Sequence, residues 1–294
     1  MNIKAILKLP GKIPHAARIE LLALRDVIRF GLPDVMLQFG GGIGDELLLT
    51  AVAHELKQRK GDLNIWQVSH SAPLLENNPD YDKVFTQRHW ALRYAQFLKP
   101  WRLKLAYAQE IIPCVSEVPP SEHVISILCR NAGITGEIAL RPYLFLTDKE
   151  RLQGKIAPLQ IAVQCVGPDS YATVRKNMLW ASNSFQIVVD VLRRIMPDTE
   201  LVQLGSDKDP LLSGTIDMRG VTSLRESAAI LSNSLFFLGI PGLLMHLARS
   251  IECRSVMVYG GREHSFQTGY ICNENLGSNV ECSPCWLWND CDYD

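Results

Sequence analysis

The sequence predicts an α/β protein built from two doubly wound halves, and three observations carry that prediction. Short apolar runs alternate with apolar-periodic helical stretches along the chain. The alternation occurs twice, on either side of a looser stretch from Arg141 to Pro158 punctuated by Pro142, Thr147, Asp148 and Gly154. Loops after the strand candidates start at Gly40, Gly167, Gly205, Gly239 and Gly260. In parallel sheets with crossover helices, ligands bind at the carboxyl ends of the strands, so those loops are where a site belongs.

The first half reads, in order, as a strand over Val35–Phe39, a helix over 46–59, a strand over 63–68, a short helix over 72–77 and a strand over 83–86. From Gln87 to Ala108 the spacing is helical and rich in aromatics (Trp90, Tyr94, Phe97, Trp101, Tyr107), interrupted by Pro100. This stretch is expected to form one wall of a cleft, although aromatics at such spacing also fill cores. A helix over 121–132, with Ser121 as its cap, completes the half. The second half gives strands over 160–166, 201–204, 235–238 and Ser255–Tyr259, with helices over 184–196, 223–231 and 242–249 between them.

Composition narrows the classes. With 294 residues, 47% hydrophobic and 21% charged, the chain can bury two ordinary cores. A net charge of -1 gives no electrostatic case for nucleic acid. No apolar run reaches the length of a spanning helix, and the start lacks a signal peptide's continuous apolar core, so a cytoplasmic protein is expected. Cys114, Cys129, Cys165 and Cys253 then read as buried thiols. The first thirty residues stand apart, because Lys4, Lys8, Lys12, Arg18, Arg25 and Arg29 face only Glu20 and Asp26. Two readings fit them: a basic amphipathic segment on the inner membrane's anionic surface, or a helix packed on the first half.

The stretch from Val35 to Leu56 carries the strongest local signal. A strand meets Gly40, Gly41, Gly42 and Gly44, and Asp45 then opens an apolar-periodic helix. Glycines let another group approach the backbone, and the first helical turn offers unpaired N–H groups and a positive dipole end. Such a junction suits an anion or polar ligand; equally, the glycines can make only a sharp turn and Asp45 only cap the helix. It is not the dinucleotide fingerprint, because the Gly-x-Gly-x-x-Gly spacing is absent.

Three blocks read together: GGGIGDELLLTAV with NNPDYDKVF at 77–85, RKNMLWASNSFQIVVDVL at 175–192, and residues 219–261. In this order and spacing the chain resembles glycosyltransferase family 9, the heptosyltransferase-like enzymes. The resemblance implies a GT-B fold, two Rossmann-like domains facing across a cleft. Its expected division is a basic N-terminal segment (1–33), an acceptor-side domain (34–150), a nucleotide-sugar domain (159–270) and a Cys-rich tail (271–294). It implies an inverting, metal-independent transfer, with no catalytic cofactor, from a nucleotide-sugar donor, ADP-heptose foremost, to a glycan or glycolipid acceptor of lipopolysaccharide or a related polysaccharide.

By the same resemblance Asp45 is the general base, and Gly41, Gly42 and Gly44 form an acceptor or phosphate loop. Lys176 and Arg175, ahead of Trp180, match the family's phosphate-contacting cation, with Ser170 and Thr173 as hydroxyl donors. Gly239, Gly242 and His246 match the donor loop, and Arg225 and Glu226 look structural. Physical chemistry is compatible, since direct displacement needs a carboxylate to take the acceptor's proton, and a leaving diphosphate needs cations or helix N-termini. One departure stands out: the family usually carries an acidic residue in the donor loop, where this chain has Pro241-Gly242-Leu243. That motivates a second reading, a non-catalytic GT-B protein that binds a nucleotide sugar or a partner. A third reading, a sugar-nucleotide epimerase, shares the architecture.

The tail holds Cys272, Cys282, Cys285 and Cys291. Their C-x-x-C core suggests thiolates for a structural zinc or iron, with disulfides and free thiols as alternatives.

Overall fold

Strand-forming and helix-forming stretches sort, in the computed structural model, into two parallel sheets with helices against their faces. The structure describes residues 15–39, 41–86, 102–112, 116–167, 176–277 and 280–287. The aromatic stretch from Trp90 to Trp101, Gly40, Cys114, Ser170, Thr173, Arg175, Cys291 and the side chain of Lys176 lie outside that description.

The first sheet contains β1 (Val35–Phe39), β2 (Ile65–Val68), β3 (Lys83–Phe85) and β4 (Arg102–Leu105), in the order β3-β2-β1-β4, with every pairing parallel. Helix α1 (His15–Phe30) lies on one face. Its Ala23, Val27 and Phe30 pack on Met36, Trp66, Val68 and Phe85. The other face is covered by α2 (Ile43–Lys60), which buries an unbroken run from Glu46 to Ala53. An α-helix apolar nearly all round must be covered nearly all round. Here the first sheet covers one side and α7 (Leu243–Ser250), from the second half, covers another, so the two halves share one apolar core.

Strands β5 (Glu110–Ile112) and β6 (Ser116–Glu117) form a separate antiparallel pair, and the second sheet runs β12-β11-β10-β7-β8-β9, again all parallel. Its strands are β7 (Gln160–Val163), β8 (Glu200–Gln203), β9 (Ile216–Asp217), β10 (Phe237–Gly239), β11 (Ser255–Tyr259) and β12 (Glu274–Gly277), with helix α5 (Ser182–Ile195) between β7 and β8. The order reverses between β7 and β10, the crevice where doubly wound sheets hold ligands. The halves are joined by an extended segment leading into α4 (Asp148–Gln153), which Thr147 and Glu150 start with a reciprocal capping box. The segment is tied to α2 where the Tyr143 N–H donates to Thr50 Oγ1 at 2.7 Å.

Several sequence expectations are corrected. Residues 102–105 form β4, not the end of a helix; Leu103 and Leu105 alternate with polar neighbours, and the pairing opportunity beside β1 decides the outcome. Helix α3 (Val124–Asn131) is capped by His123 rather than Ser121. Within the stretch expected to be a Cys-rich tail, Glu274–Gly277 pairs with β11 as the edge strand of the sheet. The polar sequence ENLG gave no strand signal; β11 supplies the pairing.

Arg225, on α6 (Leu224–Ser232), pins the junction between the halves. Its guanidinium donates to the carbonyls of Pro73, Leu74, Glu76 and Phe145 at 2.8–3.4 Å and makes a two-pronged contact with Glu150. That pairing holds the Glu150 carboxyl at about 2, well below its ordinary 4.5, and the residue expected to be structural is so.

Candidate active site

The loop between β1 and α2 is shaped by Asp45. Asp45 stands at the third position of the helix, and its Oδ2 accepts from the Gly42 N–H at 2.8 Å. The folded-back carboxylate fills the space beside residue 41, where a Cβ would sit 2.1 Å from Oδ2 and 2.5 Å from the Phe39 ring. Only glycine fits there. The second carboxylate oxygen accepts from Tyr107 Oη at 2.7 Å, and the Tyr107 ring stacks on Phe39 with centroids 5.4 Å apart. Asp45 is therefore a helix cap and, at the same time, a carboxylate fixed in orientation by two donors.

Burial raises the Asp45 pKa above its usual range; the Tyr107 and Gly42 hydrogen bonds and the positive charge of Arg262 act in the opposite direction, and Glu46 adds to the rise. A carboxylate that is a stronger base than usual at a helix N-terminus suits proton abstraction. Burial and the neighbouring carboxylates push the Tyr107 pKa up, so its hydroxyl stays a donor. Glu46 does not compete for the role. It is buried and tied to the end of β2 by Ser69 Oγ at 2.7 Å, by the His70 N–H at 2.8 Å and by the His70 ring.

Opposite this loop lies the N-terminus of α7. A Cβ on Gly44 would be 3.7 Å from the Leu243 backbone, so the first turns of the two helices nearly touch. Gly239 ends β10, and Gly242 caps α7 with φ +154°, a backbone conformation that side-chain-bearing residues rarely adopt. His246, in contrast, is an interior residue. Its Nδ1 is 2.6 Å from Tyr270 Oη, and burial lowers its pKa to about 3, so the ring is neutral. The donor role expected of it is not visible in this packing: α7 turns residue 246 toward the core, as its apolar periodicity requires.

The turn at Lys176–Met178 sits against the loop after β11. A Cβ on Gly260 would be 2.1 Å from the Asn177 carbonyl, which accepts from the Arg262 N–H at 3.3 Å. The Lys176 backbone thus reaches the C-terminal edge of the second sheet. Arg262 is buried, pairs with Glu117 at 3.2 Å and lies 4.7 Å over the ring of Trp286. Trp286, fully buried, meets Tyr107 edge-on with centroids 6.2 Å apart. Contacts therefore run from the Lys176 turn through Arg262 and Trp286 to Tyr107 and Asp45. The sequence marked the loop starting at Gly260, which carries Arg262, but nothing in it marked Tyr107 as a partner of Asp45 or Trp286 as a bridge, because both links are tertiary. Beside this chain, at the ends of β11 and β12, opens a cavity of about 180 Å³ lined by Glu263, His264, Ser265, Asn275 and Ser283.

Of the four cysteines proposed for a metal, Cys291 lies outside the described residues, and Cys272 and Cys285 are placed apart. Cys272 lies next to Cys253, before the starts of β11 and β12. Cys285 is fixed past the other end, where its N–H donates to the Gly261 carbonyl and its Sγ is 3.4 Å from Asn177 Nδ2. Strand β11 separates them by about 16 Å at 3.3 Å per residue, too far to share one ion. Among the described residues, no group of three His, Cys, Asp or Glu is placed to hold a metal. The described cysteines are free thiols. Burial pushes Cys129 and Cys253 to about 12 and Cys165 to about 11, as buried thiols require.

Tyr107→Phe is a direct probe of this site. Losing the hydrogen bond that favours the ionised form should raise the Asp45 pKa further, moving the acid limb of any Asp45-dependent rate to higher pH. Above that limb the rate should stay within about tenfold of the parent. An unmoved acid limb would show that Tyr107 does not tune Asp45.

No protein-family model and no curated protein sequence matches the chain. Solved structures do. A glycosyltransferase family 9 protein from Veillonella parvula aligns with TM-score 0.62 at 14% identity, covering 83% of this chain and 85% of that one. The E. coli ADP-heptose LPS heptosyltransferase II aligns with TM-score 0.63 at 14% identity, covering 87% and 92%. The iron-containing dodecameric glycosyltransferase TibC of enterotoxigenic E. coli aligns with TM-score 0.62 at 16% identity, covering 86% of this chain and 64% of that chain. At these identities the similarity establishes a shared fold. The residues present here do not fit a metal held by Cys272 together with Cys282 and Cys285, whatever the iron of TibC does in its own chain.

Proposed function

We propose that this chain is a glycosyltransferase of GT-B architecture. In this reading it moves a sugar, heptose foremost, from a nucleotide donor to a glycan acceptor of lipopolysaccharide or a related surface polysaccharide. The observation that carries the reading is Asp45, a carboxylate raised in basicity and held by two donors, in a helix start whose Gly44 lies close to the first turn of α7 from the other half. The fold shared with the family 9 structures supports it, and ADP-heptose is named for one of them. The acceptor hydroxyl oxygen attacks the anomeric carbon while the bond to the diphosphate oxygen breaks; the proton passes to Asp45, and a nucleoside diphosphate leaves. Attack opposite the leaving group inverts the anomeric centre. The N–H groups at the start of α7 and the cation of Lys176 offset the charge growing on the diphosphate, with no metal in the step.

Pro241 favours a second reading, since a proline cannot accept a hydrogen bond on its side chain from a sugar or ribose hydroxyl, as an acidic residue would. The chain would then bind a nucleotide sugar without transferring it. Calorimetric titration with ADP, GDP and UDP tests the donor assignment. Selective binding of ADP, weakened about tenfold or more in Lys176→Ala, is expected. Absence of binding to all three nucleotides would remove the donor site from the account.

A further inference from the structure

We propose that the outer face of α1 docks on an anionic membrane surface. The helix has two apolar faces, and among the described residues the core packs against one of them. On the inner face Ile19 is buried, Ala23, Val27 and Phe30 pack on the first sheet, and Asp26, 2% exposed, is 2.7 Å from Arg25 and 4.0 Å from Lys83 Nζ. Lys83 in turn lies 4.4 Å over the Phe30 ring. These contacts fix which way the helix is turned.

The outer face presents Leu24, Ile28 and, just past the helix end, Leu32, with relative exposures of 54%, 69% and 56%. Four-residue spacing puts Leu24 and Ile28 in one row of the helix, and Leu32 follows past Gly31. Arg18 and Arg29, about three turns apart and both exposed, line the adjacent side, while Arg25 between them is held by Asp26. Glu20 and the buried Asp26 are the acidic residues of α1, and Glu20 lies on the far side of the apolar row. An apolar row edged by guanidiniums is what an in-plane helix needs: alkyl groups below the headgroups, arginines on lipid phosphates. A second copy of the chain fits less well, because a two-fold contact would bring the same arginine rows together. No described helix is long and apolar enough to cross a membrane, so the contact is with the surface.

The proposal does not depend on sugar transfer, but it would place the half read as acceptor-side against the surface that carries glycolipid acceptors. The test sediments the full chain with vesicles of phosphatidylethanolamine and phosphatidylglycerol, and with vesicles of phosphatidylcholine alone. The chain should pellet with the anionic vesicles only. Arg18→Gln with Arg29→Gln should lower partitioning about twentyfold at low salt, and Leu24→Gln with Ile28→Gln about tenfold or more. Both double variants should unfold at the parent temperature, since these side chains are exposed. Failure to pellet, or pelleting that neither double variant weakens, would overturn the proposal. So would a dimer that Leu24→Gln with Ile28→Gln dissociates, which would assign the face to a second copy.

Discussion

Asp45→Asn is expected to reduce sugar transfer by about 10²- to 10⁴-fold while leaving nucleotide affinity unchanged. The amide oxygen can still accept from the Gly42 N–H, so the turn and the helix start persist; what disappears is a group able to take a proton. The pH dependence has a definite sign. Burial raises the Asp45 pKa above 3.8, and only the ionised form is a base. Activity should therefore rise with pH through an acid limb lying above the ordinary carboxylate range and level off above it. An enzyme whose Asp45→Asn variant retains full activity, or whose acid limb lies at an ordinary aspartate value, does not use Asp45 as its base.

Arg225→Ala should be the most destabilising single change at the junction of the halves, by about 3 kcal/mol or more. It takes a donor from the carbonyls of Leu74, Glu76 and Phe145, leaves Pro73 with only its Glu76 N–H donor, and leaves Glu150 without its cation. Equilibrium denaturation measures the loss. The parent carries a matching pH signature. Glu150 has a folded pKa near 2, depressed from 4.5, so its share of stability is present above about 4.5 and lost as pH falls toward 2. In Arg225→Ala that part of the acid sensitivity should vanish. A variant as stable as the parent would mean that the junction is held elsewhere.

Much of the fold was legible because periodicity and chain order reflect burial directly. The β1–glycine–α2 unit, the strand at Ser255–Tyr259 and the helix starting at Ser223 all follow from local residues. The misses share another cause. β4, β9 and β12 are short strands that exist because a neighbouring strand offers hydrogen bonds, information held elsewhere in the chain. At the site, Asp45 was legible as the acidic residue opening a helix after glycines. Tyr107 was visible only as an aromatic in a mixed stretch, and Trp286 lay in a tail whose cysteines drew attention to metal chemistry. His246 shows one position carrying two signals. Its motif position matches the donor loop, yet the same apolar spacing that predicts α7 turns that residue into the core.

The most direct measurement incubates the purified chain with ADP-heptose and a heptose-accepting core oligosaccharide, then analyses both products by mass spectrometry and NMR. The account predicts one lengthened glycan per ADP released, with the anomeric configuration inverted relative to the donor. Donor bound but left intact, or returned as an epimer with the glycan unchanged, would contradict it.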